Sequence, residues 1–451
     1  MDVSRPAGFE LIRRFVDGLA FSRIPAKDRH FASLLLLDTL GVGAAARELE
    51  AARIARNFAA AGFAAGANAP SARMLFDGRP VSPAGMAFAA AAQIDNLDAH
   101  DGYNPTKGHI GVVTIPALLA FAQTVPEITA AEAMTALVLG YEIGARAGIA
   151  LHGTVSDYHA SGAWNALAVA AVGARILKLD ADKLREALGI AEYHGPRSQM
   201  MRVIDTPTML HDGSAWGALA GVTAVYLADQ GFTGAPAVTV EAEAVDHVWR
   251  DLGTTWVVHR HYIKPYPVCR WVHALIDCAL ELRRAHGLRS ADVVAVELTS
   301  FHEATRLYRE MPATSPVAQY SNAYPVAAAL VKGRLGVTEV EGPGLADPEA
   351  ARLVAATTVH ESAEYNARFP ADRWGEVTVV LKDGRRLDSG PRNARGGPEN
   401  PIGEDEIIAK YRDYAGSALG APRARAIEDA VRRLADPTAP FAPVIELACR
   451  A

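Results

Sequence analysis

The chain has 451 residues, half of them apolar, and its 45 Lys and Arg against 51 Asp and Glu give a net charge of −6. That apolar fraction excludes a disordered chain and suffices for a large core, and the length predicts two or three domains, or one large domain with a smaller companion. The near balance of charge, with no Lys/Arg block, disfavours a nucleic-acid partner.

Residues 1–23 carry scattered charges and no uninterrupted apolar stretch of the signal-peptide kind. The apolar runs Ala160–Leu177 and Ala215–Ala228 are rich in Ala and Gly and broken by polar residues, too weak for a membrane span. A soluble cytoplasmic protein without a membrane partner is expected. Cys269, Cys278 and Cys449 form no CxxC pair. Their number and spacing argue against a zinc finger, a protein-held iron–sulfur cluster and a disulfide scaffold.

In chain order, Phe9–Leu19 and Arg29–Leu40 place apolar residues three and four apart, the spacing of one helix face. Ser82-Pro83 reads as a helix cap followed by proline at the first helical position, opening a helix to Ala92. Thr129 and Asp180 cap further helices, and Ala215–Ala228 and Val272–Ala285 extend the series. The abundance of small residues predicts closely packed helices. After about residue 285 the pattern changes. Ala291–Ser300 alternates apolar and polar residues and is rich in β-branched side chains, a strand signal. VTVVL followed by Lys382-Asp383-Gly384 predicts a hairpin. Val326–Lys332 and Pro348–Val359 read as helices, Gly390–Gly403 as a loop, and Glu404–Tyr414 and Ala421–Leu434 as a helical return. The expected fold is therefore mainly α, with a large all-helical domain (1–268, with a return at 400–451 whose placement is open) and a smaller α+β domain (269–399).

Five polar neighbourhoods could carry chemistry. Asp95, Asp98 and Asp101 are three apart and would share a helix face. A metal site there is disfavoured because no further ligand-rich segment accompanies it. His109, at the entrance of the apolar run that follows, is a candidate acid or base, or a capping residue. His159 precedes a helix of small residues whose N-terminus would suit an anion, with Ser161 as its cap. His211-Asp212-Gly213-Ser214 is a polar turn, with no G-x-S-x-G elbow to support a triad. His259–His273 gathers Lys264 and Arg270 among aromatics and prolines, a rigid frame for carboxylates or an interdomain hinge. Tyr324 could donate a proton or be a structural hydrogen-bonding residue. No G-x-G-x-x-G follows a strand and no P-loop is present.

Taken together, DTLGVGAAA (38–46), NLDAHDGYNPTKGHIGVVTIPALLA (96–120), GYEIGARAG (140–148), YHASGAWNALAVAAVGARILKLD (158–180), LHDGSAWGALAG (210–221), KPYPVCRWVHALID (264–277) and QYSNAYPVAAAL (319–330) resemble the MmgE/PrpD family in content and order. The resemblance implies a lyase that needs no metal or other cofactor, and usually a homodimer. Most in line with it is a hydro-lyase acting on a hydroxy-polycarboxylate such as 2-methylcitrate. The alternatives are a decarboxylase or epimerase on a related acid, or a catalytically silent carboxylate-binding homologue. It further implies Asp98, His109, His159 and Tyr324 as catalytic residues and Lys264 as a substrate-binding residue, with His211 as the residue that would take over where the pattern's lysine is missing. Arg270, from its own chemistry, would join Lys264 on the substrate carboxylates. Two departures stand out. The decarboxylase-type pattern has Asp-Asp-Thr where this chain has His100-Asp101-Gly102, and Lys-Pro-Leu-His where it has Thr208-Met209-Leu210-His211.

Overall fold

The computed structural model describes residues 5–125 and 127–451; the first four residues of the expected helical domain lie outside this range. Among the described residues the N-terminal body is made by the helices α1 Ala7–Gly18, α2 Ala26–Ala46, α3 Glu50–Gly62, α4 Pro83–Asp95, α5 Gly111–Ala122, α6 Ala130–Thr154, α7 Gly162–Leu177, α8 Ala181–His194, α9 Met201–Asp205 and α10 Ser214–Asp229, followed by two single-turn helices, Val238–Glu241 and Asp246–Trp249. A two-stranded ribbon, β1 Ala72–Arg73 with β2 Pro80–Val81, interrupts them.

The helix starts follow the local chemistry. Ser82 Oγ accepts from Gly85 N at 3.2 Å, Thr129 Oγ1 from Glu132 N at 3.2 Å, and Asp180 Oδ1 from Asp182 N and Lys183 N, each satisfying donors the helix leaves free. Ser161 does not cap α7, because its hydroxyl is used in the site described below. By length and composition α6 could cross a membrane, but its most apolar window is 94% buried inside the protein, as befits the central helix of a bundle. Helices α7 and α10 cross on glycine and alanine. A β-carbon on Gly217 would lie 2.4 Å from the Gly162 carbonyl, an approach that larger residues forbid.

The second unit is built on a mixed sheet. Strands β3 Val293–Ser300, β4 Thr357–Glu361, β5 Trp374–Leu381 and β6 Arg386–Asp388 lie in the order β4-β3-β5-β6, and β7 Arg392–Asn393 pairs with β5. The β3–β4 pair is parallel and the others antiparallel. Strand β5 buries every second residue, which sets one face of the sheet against helix His273–His286. The expected helix at Pro348–Val359 stops at Ala355, and Thr357–Glu361 becomes β4 instead. Thr357, Thr358 and Val359 are β-branched and suit a pleated surface.

The C-terminal return packs on the helical body. In helix Glu404–Leu419 the Lys410 ammonium pairs with Asp38 of α2 at 2.8 Å, and the Tyr411 ring covers Gly41.

Candidate active site

The chemistry-bearing residues meet where the helical body faces the sheet unit. Helix α4 ends at Asp95, and Asp98 then takes a left-handed conformation with φ 52°. The three aspartates consequently do not share a helix face. Asp95 turns to the backbone N–H of Ser214, Asp98 to Lys264, and Asp101 to Tyr141 and Gly111. The loop that follows is held against the hinge by a two-bond bridge, Gly102 N to Tyr262 O at 3.1 Å and Tyr262 N to Gly102 O at 2.8 Å. Lys264 is fully buried. Its ammonium donates to the Asp98 carbonyl at 3.0 Å and forms an ion pair with the Asp98 carboxylate.

His109 has a defined tautomer. Its Nδ1 lies 2.7 Å from the Asp101 carbonyl; a carbonyl can only accept, so Nδ1 carries the proton and Nε2 offers a lone pair. Burial, reinforced by the Lys264 charge, pushes the imidazole well below its ordinary pKa, so the ring stays neutral. Nε2 is 3.8 Å from Asp212 Oδ2. That carboxylate accepts from Ser161 Oγ, whose oxygen in turn accepts the His109 backbone N–H at 3.0 Å. Burial raises the Asp212 carboxyl to about 6. A neutral imidazole with a free Nε2 beside a carboxylate is a general base whose protonated form has a charge partner in place.

The cleft around this base is lined by Asp98, Lys107, His109, Tyr158, Asp212, Tyr262, Cys269, Arg270, Trp271, Tyr320 and Arg373, among others, and encloses about 20 Å³, room for one water. Burial pushes the Cys269 thiol up to about 12, which leaves it a poor nucleophile. Three cations face the cleft from different elements, each laid on an aromatic ring. Lys107 Nζ is 4.5 Å from the Tyr158 centroid, and the Arg270 and Arg373 guanidinium carbons are 4.5 and 4.6 Å from those of Tyr262 and Phe369. Arg270 and Arg373 donate to main-chain carbonyls. Among the described residues, none of the three has a carboxylate within ion-pairing distance. Burial lowers the pKa of all three, Arg270 to about 10. A buried charge without a counter-ion costs several kcal/mol, so the cleft is electrostatically incomplete without an anion. A larger hollow of 380 Å³ beside Leu49, Pro312 and Leu345 contains no cation.

The structure brings Asp98, His109 and Arg270 to this cleft but not every residue the sequence proposed. His159 and Gln199 form an extended bridge, in which successive side chains point to opposite sides. Tyr158 thus enters the cleft, while His159 faces outward with Nδ1 on the Asp157 carbonyl at 3.0 Å. Tyr324 is buried away from the cleft, its hydroxyl donating to the Glu339 and Gly344 carbonyls; Tyr320, at the end of the preceding short helix Ser315–Gln319, lines the cleft instead. Lys264 is committed to Asp98 and is not among the lining residues. His211 lies behind the cleft wall, its ring packed on Tyr320 with centroids 5.2 Å apart and neither ring nitrogen bonded. Asp212, next to it in the turn, faces His109.

Sequence reasoning missed Lys107, Tyr158, Asp212 as the partner of His109, Tyr262, Tyr320 and Arg373. Lys107 and Tyr158 were inside segments already singled out, whereas Arg373 follows a proline-containing turn with no motif around it.

Asp98, His100 and His109 place potential ligand atoms within 4.8 Å of one another. Asp98 is already neutralised by Lys264, and Arg270 and Lys264 both oppose positive charge on His109. Such surroundings do not suit a divalent cation.

Residues 10–248 match the family model of the MmgE/PrpD N-terminal domain and residues 266–436 that of the MmgE/PrpD C-terminal domain. The chain is similar to a cis-aconitate decarboxylase of Aspergillus terreus, 24% identical over 83% of each chain. It is likewise 24% identical to the cis-aconitate decarboxylase-like protein oryM of Aspergillus oryzae, over 93% of each. The human cis-aconitate decarboxylase is 22% identical, over 93% of this chain and 90% of that one.

Proposed function

The chain belongs to the MmgE/PrpD family, and on that footing we propose that it is a lyase acting on a di- or tricarboxylic acid by removal of a proton α to a carboxylate. The observation that carries this reading is the set of three cations, Lys107, Arg270 and Arg373, unpaired by any described carboxylate and lining one cleft with one neutral histidine. The cleft, which now encloses room for one water, would have to widen to admit the acid; substrate carboxylates then supply the missing negative charge, and Arg270 and Arg373 bring further N–H donors for them.

In the proposed reaction His109 Nε2 takes the α-proton. The C–H electron pair moves toward the adjacent carboxylate, where the cations stabilise the growing charge. Asp212 stabilises the imidazolium. The same imidazolium then returns a proton, either to a departing β-hydroxyl, giving water and an alkene, or to carbon. Elimination of water from a hydroxy-polycarboxylate is the first reading. Decarboxylation of a related acid is the second, favoured by the activity for which the similar fungal and human proteins are named; there the C–CO₂ bond breaks in place of the C–H bond, CO₂ leaves, and the electron pair left on carbon takes up a proton. No step requires a metal or a bound organic cofactor.

We further propose that two copies of the chain associate through an apolar patch on the helical body, where Ile54, Phe58, Met209, Leu210 and Trp216 are exposed. The first test of the activity is a panel of di- and tricarboxylates, 2-methylcitrate and cis-aconitate included, followed by NMR for loss of water or CO₂. Turnover of a polycarboxylate supports the reading. No turnover of any member, with no binding by calorimetry, contradicts it.

A further inference from the structure

The Tyr262 hydroxyl occupies a place that another residue would otherwise fill. A β-carbon built on Gly102 would lie 2.2 Å from Tyr262 Oη, 2.4 Å from its Cζ and 2.8 Å from His109 Nδ1. Glycine at 102 is therefore the condition for the phenol to stand beside the histidine. The two residues are also locked together through the main chain, by the bridge between Gly102 and Tyr262. The Tyr262 ring stands edge-on to His109, with centroids 6.2 Å apart and planes at 85°, and carries the Arg270 guanidinium on its face. Tyr158 spends its hydroxyl on the Lys107 carbonyl and Tyr141 on Asp101; Tyr320 also lines the cleft with an unbonded hydroxyl among the described residues, but its ring packs on His211 and not on His109. The Tyr262 hydroxyl hydrogen-bonds no described residue and borders the cleft.

We propose that Tyr262 is the neutral hydrogen-bond donor to the carboxylate oxygen on which negative charge develops, and that Gly102 serves to admit it. The inference rests on the reading of His109 as the base. When the α C–H bond breaks, its proton goes to His109 Nε2 and its electron pair to the substrate carboxylate. The Tyr262 O–H shortens its hydrogen bond to that oxygen and keeps its own proton. Burial holds the phenol far above its ordinary pKa, so it remains a donor through the neutral range. The Arg270 charge on its face strengthens the O–H dipole toward the substrate.

Removing one such donor typically lowers kcat by ~10²–10³-fold. Tyr262→Phe is expected to lower kcat, and the rate of α-proton exchange in D₂O, by about that factor with KM changed only a few-fold. Gly102→Ala is expected to reproduce the loss, because its methyl displaces the phenol. The double variant should lose no more than either single one, since both remove the same hydrogen bond. Circular dichroism and thermal melting check that the variants fold. Should Gly102→Ala fail to fold, the Tyr262→Phe rates decide alone. Wild-type kcat in Tyr262→Phe, or strictly multiplicative losses in the double variant, overturns the proposal while leaving His109 untouched. Full activity in His109→Gln instead overturns the reading on which it rests.

Discussion

His211 shows how much of this site is set by dryness and not by pairing. Its ring is buried, neither nitrogen has a partner among the described residues, and it sits in a left-handed backbone conformation with φ 45°. Burial, with the Lys264 charge behind it, lowers its pKa to about 3, whereas the unfolded chain protonates near 6.5. Above that pH neither state binds the proton and the residue contributes nothing through this linkage. As pH falls from about 6.5 toward 3 the unfolded state takes up a proton that the folded state refuses, costing about 1.4 kcal/mol per pH unit. His211→Asn tolerates the left-handed backbone and lacks this proton. Urea denaturation at pH 7 and pH 5 should therefore show the stability difference between the variant and the natural chain moving by about 2 kcal/mol in the variant's favour. A difference independent of pH would mean that His211 is solvated or paired. At this scale the sequence singled out Asp98, His109 and Arg270, and the fold brings these three to one cleft. It misled by one position at His159, since the side of an extended segment that faces inward depends on a partner, Gln199, forty residues away. At Tyr324 the sequence does not show that the chain breaks between the helices Ser315–Gln319 and Ala323–Lys332, which leaves Tyr320 at the cleft and turns Tyr324 to the Glu339 and Gly344 carbonyls.

Helices α7 and α10 give the site its geometry, because Ser161 precedes one and Asp212 the other. Their crossing admits no side chain at Gly217: an added methyl would meet the main chain of Gly162 at 2.4–2.9 Å. Alanine is otherwise the better helix former by about 1 kcal/mol. Overpacking against immobile backbone costs ~1–3 kcal/mol and outweighs that gain. Gly217→Ala should thus lower the Tm and, by spreading the crossing, draw Asp212 away from His109 and reduce kcat. An unchanged or raised Tm would show that the crossing relaxes without cost. Helix caps and the Asp383-Gly384 turn were legible because each depends on a few adjacent residues. Strand β4 and the seat of the C-terminal return were not. The first needs β3 as a parallel neighbour, and the second rests on Lys410 meeting Asp38 across 372 positions.

Across the whole molecule, the cleft joins parts that are far apart in the chain: Lys107 from the helical body, Arg270 from the hinge and Arg373 from the sheet unit. Composition and periodicity predicted the two kinds of architecture, but convergence of the three cations follows only from how the units pack. The apolar patch is likewise a property of the folded surface. Trp216 is 49% exposed with its ring 5.4 Å from that of Phe88, and exposed aromatic clusters of this kind commonly mark interfaces. If two copies pair there, light scattering at micromolar concentration gives twice the 47.9 kDa chain mass, and Trp216→Glu gives the single mass. A monomer from the unaltered chain would refute the pairing. The central claim is that His109 removes an α-proton from an acid held by the three cations. It is tested most directly by incubating the turned-over polycarboxylate in D₂O with the natural chain and with His109→Gln, following the α-position by NMR. The account predicts exchange or elimination with the natural chain and a loss of ~10²–10⁴-fold in the variant, with the substrate still bound. Exchange at the natural rate in His109→Gln would contradict it.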